Sequence, residues 1–230
     1  MHETQRLSGV TGKEDWHMKK LLIAAFALTT TPALAHHPLA GAPMETFTHG
    51  VLSGVGHPIL GFDHLFFIVA VGIVAMFTGR ALTAPLGYVA GMLAGCFLIM
   101  GGIALPAVEL VIAASLIVAG GILMTGRGLG LKMCIALFGA LGLFHGWAFG
   151  QSITGQEGSL GSAVVLGYLM GLAVIQWAVA AGAGWAISRL GAAAADAMPA
   201  RLAGGLVAGA GLFLVLEAAE GAAFSALGLG

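Results

Sequence analysis

Charge is what this sequence has least of. Lys, Arg, Asp and Glu make up 8% of its 230 residues, against about a quarter in a soluble domain, which excludes an ordinary water-soluble fold. The net charge of −1 excludes a basic chain built to hold nucleic acid. Cysteine is almost absent: Cys96 and Cys134 stand in apolar runs without CxxC spacing, so they read as packing residues and indicate no disulfide. The sequence contains no Walker motif, so nucleotide hydrolysis is not expected of it. It contains no HExxH or similar catalytic arrangement, and the expectation is a protein that is not an enzyme. The lack of a lysine in the middle of any apolar run argues against a retinal protein.

What the chain has in abundance is apolar surface, 59% of all residues, and glycine, at 38. The composition is that of an all-α membrane protein, expected as a six-helix transmembrane bundle behind an N-terminal signal peptide. Residues 1–17 read as a polar upstream extension. Residues 18–35 read as the signal: Lys19 and Lys20 precede the run Leu21 to Leu28, and Ala33-Leu34-Ala35 has the small-x-small pattern of a cleavage site. Residues 36–61 form a His-containing outer segment, residues 62–224 the transmembrane domain, and residues 225–230 a short outer C-terminus. The spans fall at about 62–79, 85–105, 107–125, 131–150, 162–187 and 203–224. Glycines four apart (Gly87, Gly91 and Gly95; Gly167 and Gly171; Gly205 and Gly209) predict close helix approach on three of them.

Orientation follows from the few basic residues. Arg80, Arg127, Lys132, Arg189 and Arg201 all fall between spans on one side, which the positive-inside rule makes cytoplasmic. The signal peptide independently puts the mature N-terminus outside, so the expected location is the bacterial inner membrane with a periplasmic N-terminus. Six of the seven acidic residues of the mature chain and all six of its histidines then lie toward the periplasmic face. Asp196, between Arg189 and Arg201, is the cytoplasmic exception.

Ionisable groups at a bilayer boundary are costly unless they bind or carry something. The densest group is His57-Pro58-Ile59-Leu60-Gly61-Phe62-Asp63-His64. Imidazole with carboxylate suits borderline divalent ions such as nickel, cobalt, zinc or copper. On one straight helix His57 and His64 would lie about 10 Å apart, too far for a single ion. Either the chain breaks near Gly56-His57-Pro58 and folds back, or other segments complete the site; Pro58 also suits a first helical turn with His57 near the cap. His145, in an apolar run beside Gly146, is a ligand candidate when taken with Asp63 and His64, although a histidine bonded to a carbonyl is the plainer reading of it alone. His36 and His37 would chelate nickel or copper through the free amine, a backbone amide and imidazole if cleavage follows Ala35; an ordinary exposed terminus is the alternative. Glu109, Glu217 and Glu220 are candidates for an ion path, the last two sharing a helix face, with His49 and Glu157 as accessory positions.

These residues resemble the HupE/UreJ group of nickel and cobalt permeases. The resemblance rests on the signal ending just before histidine, the six spans, His57-Pro58-x-x-Gly61-x-Asp63-His64 and Phe144-His145-Gly146-x-Ala148-x-Gly150. It implies uptake of Ni²⁺ or Co²⁺ for hydrogenase, urease or cobalamin enzymes, with His57, Asp63, His64 and His145 carrying the ion. One departure stands out: the family's second motif usually ends in a glutamate near Gln151 or Ser152, and often has histidine where Phe149 stands. Gln151 keeps an oxygen donor without the charge, and Glu157 is near enough in sequence to compensate.

The expected partners are a divalent ion, as cargo rather than permanent cofactor, and membrane lipid, with no nucleic acid and no nucleotide; a homo-oligomer is left open. Two other classes remain open at this point. A haem-binding electron carrier would use His64 and His145 as axial ligands, and a metal-binding accessory or sensor protein would bind at the outer face without transport.

Overall fold

The computed structural model describes residues 43–155 and 160–228. The proposed signal and cleavage site, His36, His37 and Glu157 lie outside them. The described residues form seven helices and no strand. In chain order these are α1 (Phe47–Leu60), α2 (Phe62–Met76), α3 (Pro85–Met100), α4 (Val108–Thr125), α5 (Leu131–Thr154), α6 (Ser162–Arg189) and α7 (Met198–Ala226).

Four of them, α4 to α7, are long and apolar enough to cross a membrane. The pair α1–α2 meets the same test jointly but is bent by 82° at its break, and α3 is a shorter apolar helix of 16 residues. Large side chains including Leu202, Leu206, Leu212 and Phe213 of α7 are exposed. Apolar surface of that extent fits acyl chains rather than water, and the protein is membrane-embedded.

Residues 47–60 depart from the expectation of a plain outer segment. The Thr46 side chain accepts from the His49 N–H at 3.1 Å and starts α1 at that point. Gly50 and Gly54, one turn apart, then lay the helix on the N-terminal half of α6, against Val164 and Tyr168. The chain breaks at Gly61, not at Gly56 to Pro58. Pro58 sits in the last turn of α1 rather than the first turn of a span, where its missing N–H cannot extend the helix far. The Gly61 N–H bonds the His57 carbonyl at 3.0 Å to close α1, and its own carbonyl accepts from Leu65 at 2.9 Å to open α2. A Cβ at Gly61 would stand 3.0 Å from the His64 ring and 3.2 Å from the Asp63 carboxylate, so glycine is what the crowding permits.

Glycine ridges set the remaining pairs. Gly87, Gly91 and Gly95 of α3 face Ile135, Gly139 and Leu143 of α5, and Gly167 and Gly171 of α6 face Phe47 and Val51 of α1, as their spacing predicts. The third expected ridge does not form. Gly205 and Gly209 meet nothing, whereas Gly204 and Gly211 press α7 against α4 at Gly120, Leu123, Ala113 and Leu116. α7 is apolar nearly all round, so spacing named the helix but not the face. α2 lies at the centre and touches every other helix. Its Gly72 abuts the Ala180 backbone of α6.

The helix ends that carry the basic residues gather at one end. Gly126 lies against Asp196, Gly128 near Phe77, and the Arg201 Nε donates to the Met124 carbonyl at 3.1 Å. The histidines lie toward the other end.

Gly72→Val puts a branched side chain into the Ala180 backbone and is expected to cost about 1–3 kcal/mol or more. The same change at Gly205 points into open space and is expected to leave stability unchanged. Thermal unfolding and monodisperse yield in detergent compare the two.

Candidate metal-capture site

The 82° bend does what a straight helix cannot: it brings the His57 and His64 rings to 6.1 Å between centroids, edge to face. The first turn of α2 carries Asp63 and His64, with the His64 Nε2 3.8 Å from the Asp63 Oδ2. A carboxylate at a helix N-terminus is held there by the exposed N–H groups and the helix dipole. Asp63 is about a quarter exposed, so the pair opens toward the surface.

His145, on α5, is fully buried and directly against His64, the two Nδ1 atoms 2.9 Å apart. Gly146 makes the approach possible, because any Cβ there would collide with the Met92 backbone of α3. The His145 ring is stacked on Phe67 at 4.2 Å with 15° between planes, and its Nε2 lies 2.9 Å from the Ser115 hydroxyl of α4. Phe149, one turn along α5, closes the cluster by contacting both His57 and His64, at 5.2 and 4.3 Å. The His57 Nδ1 meets the Ser152 hydroxyl at 2.9 Å and the Tyr168 hydroxyl at 3.2 Å; the latter also donates to the Phe149 carbonyl at 2.9 Å. Five helices thus converge on three histidines and one aspartate.

Beside this cluster opens a cavity of about 220 Å³, lined by Asp63, Glu109 and Glu217 with Ile112, Ala113, Leu214 and Ala218. At about 30 Å³ per water it has room for roughly seven water molecules. Three carboxylates from α2, α4 and α7 therefore face a space large enough for a hydrated divalent ion.

Of the residues singled out from sequence, His57, Asp63, His64 and His145 come together, and Glu109 and Glu217 share a cavity with Asp63. Others do not. Glu220 is not among the cavity's lining residues, although Glu217 is. Gln151 is exposed, and its neighbour Ser152 is the residue that reaches His57. His49 is tied to the start of its own helix, where its Nδ1 accepts from the Glu45 N–H at 3.3 Å. Ser115 and Tyr168 were not anticipated as site residues, and Ser152 and Phe149 were noted only as positions where the family motif usually carries other residues. A single hydroxyl in a buried apolar stripe, as at Ser115 and Tyr168, is the signal that would have found them. The His64 and His145 rings are in direct contact, with no slot for a macrocycle between them in this arrangement.

The family model described as "HupE / UreJ protein" matches residues 24–214. The chain belongs to the HupE/UreJ family. Protein HupE of Rhizobium leguminosarum bv. viciae is a relative, 33% identical over 190 residues that cover 82% of this chain and 96% of that one. No solved structure matches. Among the described residues no group of three or more His, Cys, Asp or Glu side chains is placed to hold a metal ion. The site has the donor types for nickel or cobalt but not the enclosure of a structural metal centre.

Glu109→Gln and Glu217→Gln each remove a charge from the cavity and are expected to weaken Co²⁺ binding roughly tenfold. Glu220→Gln is expected to leave it unchanged. Titration of the purified protein in nanodiscs, followed by cobalt d–d absorption, measures all three.

Proposed function

We propose that this protein is a secondary permease that admits Ni²⁺ or Co²⁺ through the inner membrane, and that it performs no catalysis. The observation that carries the reading is the junction of an acidic, water-sized cavity with a histidine cluster at the head of α2. Membership of the HupE/UreJ family supports it. In this reading six membrane passes follow a cleaved signal peptide, with the bent α1–α2 pair as the first pass and the cavity on the periplasmic side.

A hydrated ion enters among Asp63, Glu109 and Glu217, where carboxylates attract it without demanding full dehydration. It then exchanges some waters for imidazole nitrogen and the Asp63 carboxylate. The open shell is an advantage for a cargo, since conduction requires binding tight enough to enter and weak enough to leave. The inward potential favours a divalent ion by roughly 4.6 kcal/mol per 100 mV, twice the single-charge value, so facilitated entry is sufficient without ATP. The metal supplied inside serves a nickel or cobalt enzyme such as hydrogenase or urease.

Uptake of radiolabelled Ni²⁺ and Co²⁺ into proteoliposomes tests the reading. Saturable uptake is expected for the wild type, dependent on an inside-negative potential, and reduced to background in Asp63→Ala and His64→Ala. Metal binding without uptake by the wild type would sink the permease and leave an accessory metal-binding role.

A further inference from the structure

We infer that Ser115 is a positioning residue. It fixes the tautomer of His145, and through it that of His64, so that the His64 Nε2 is the bare nitrogen presented to the ion beside Asp63. The inference rests on the permease reading only for the identity of the ion.

Four groups form a hydrogen-bonded chain. The Ser115 Oγ lies 2.6 Å from the Ile112 carbonyl oxygen, three residues back on α4. A carbonyl has no proton to give, and two oxygens this close repel unless a proton lies between them, so the single hydroxyl proton of Ser115 is committed to Ile112. The same oxygen lies 2.9 Å from the His145 Nε2 and can only accept there, so that nitrogen carries its proton. A neutral imidazole bears one N–H, which leaves the His145 Nδ1 as a lone pair. That lone pair faces the His64 Nδ1 at 2.9 Å, so the His64 Nδ1 carries the proton and donates it. In neutral His64 the remaining nitrogen, Nε2, is then unprotonated. It is the one that faces the Asp63 Oδ2, at 3.8 Å.

Burial makes the chain rigid. Ser115 and His145 are fully enclosed, and His64 is more than nine-tenths buried. The neighbouring elements supply no competing partner for the Nε2 of His145: its ring is covered by Phe67 on one face and Tyr88 at an edge. The arrangement is the outer-shell device by which a hydrogen bond on one ring nitrogen decides what the other presents. Here it acts over two rings, so His145 serves the ion by orienting His64.

The test uses histidine labelled with ¹⁵N in the full protein in nanodiscs, with long-range ¹H–¹⁵N correlation to read each ring's tautomer. Without metal, the expected pattern is Nε2–H on His145 and Nδ1–H on His64. Zn²⁺, a diamagnetic probe, should shift the His64 Nε2 resonance. Ser115→Ala should scramble both tautomers and raise the KM for Ni²⁺ uptake roughly tenfold. Ser115→Thr, which keeps the hydroxyl, should restore both. An Nδ1–H tautomer on His145 in the wild type would overturn the inference, as would tautomers indifferent to Ser115→Ala or a Zn²⁺ shift on either Nδ1. The tautomers are read without transport, so they fail or stand separately from wild-type uptake, which judges the permease.

Discussion

The structure depends on backbones touching. In lipid, burying an apolar side chain gains nothing over leaving it among acyl chains, so helices associate where small residues let main chains approach closely. α3 meets α5, α6 meets α1, α4 meets α7 and α2 meets α6, each pair with a glycine against the partner's backbone. This contact chemistry does more than hold a bundle. It leaves room along α6 for both halves of a broken helix, and at Gly146 it draws α5 against α3 so that His145 reaches the centre.

The break at Gly61 turns that packing into a site. An unbroken α1–α2 would spread its two histidines along one face. The bend instead gathers His57, Asp63 and His64 at the N-terminus of α2, beneath a cavity with two more carboxylates. Polar groups at such depth are costly to bury alone, and most here are answered: His64 by His145, His145 by Ser115, and His57 by Ser152 and Tyr168. The aromatic rings of Phe67 and Phe149 wall the imidazoles off from the surrounding apolar core. Of the cluster, Asp63 is the residue that also lines the acidic cavity.

In the permease reading, soft binding of the ion is a consequence of the same geometry. A closed shell of three or four ligands would hold an ion permanently. This cluster offers nitrogen and oxygen from the right elements but spends several of those atoms on one another. In the permease reading, an ion arriving there keeps part of its hydration and moves on.

Sequence by itself determined the class, the helical architecture and the identity of the principal ionisable residues. Scarcity of charge and long apolar runs can be met only by membrane helices, and ionisable groups persist in such runs only where they have a task. His57, Asp63, His64 and His145 were legible for that reason, as were the glycine ridges of α3 and α6. Tertiary structure decided what no linear pattern encodes. It set the break at Gly61 rather than Pro58, turned Gly204 and not Gly205 to α4, brought Glu109 and Glu217 together while leaving out Glu220, and made Ser115 the partner of His145. In an aqueous protein amphipathicity would have marked the inward face of each helix. In a membrane both faces are apolar, so a helix's rotation is fixed only by the neighbour it packs against.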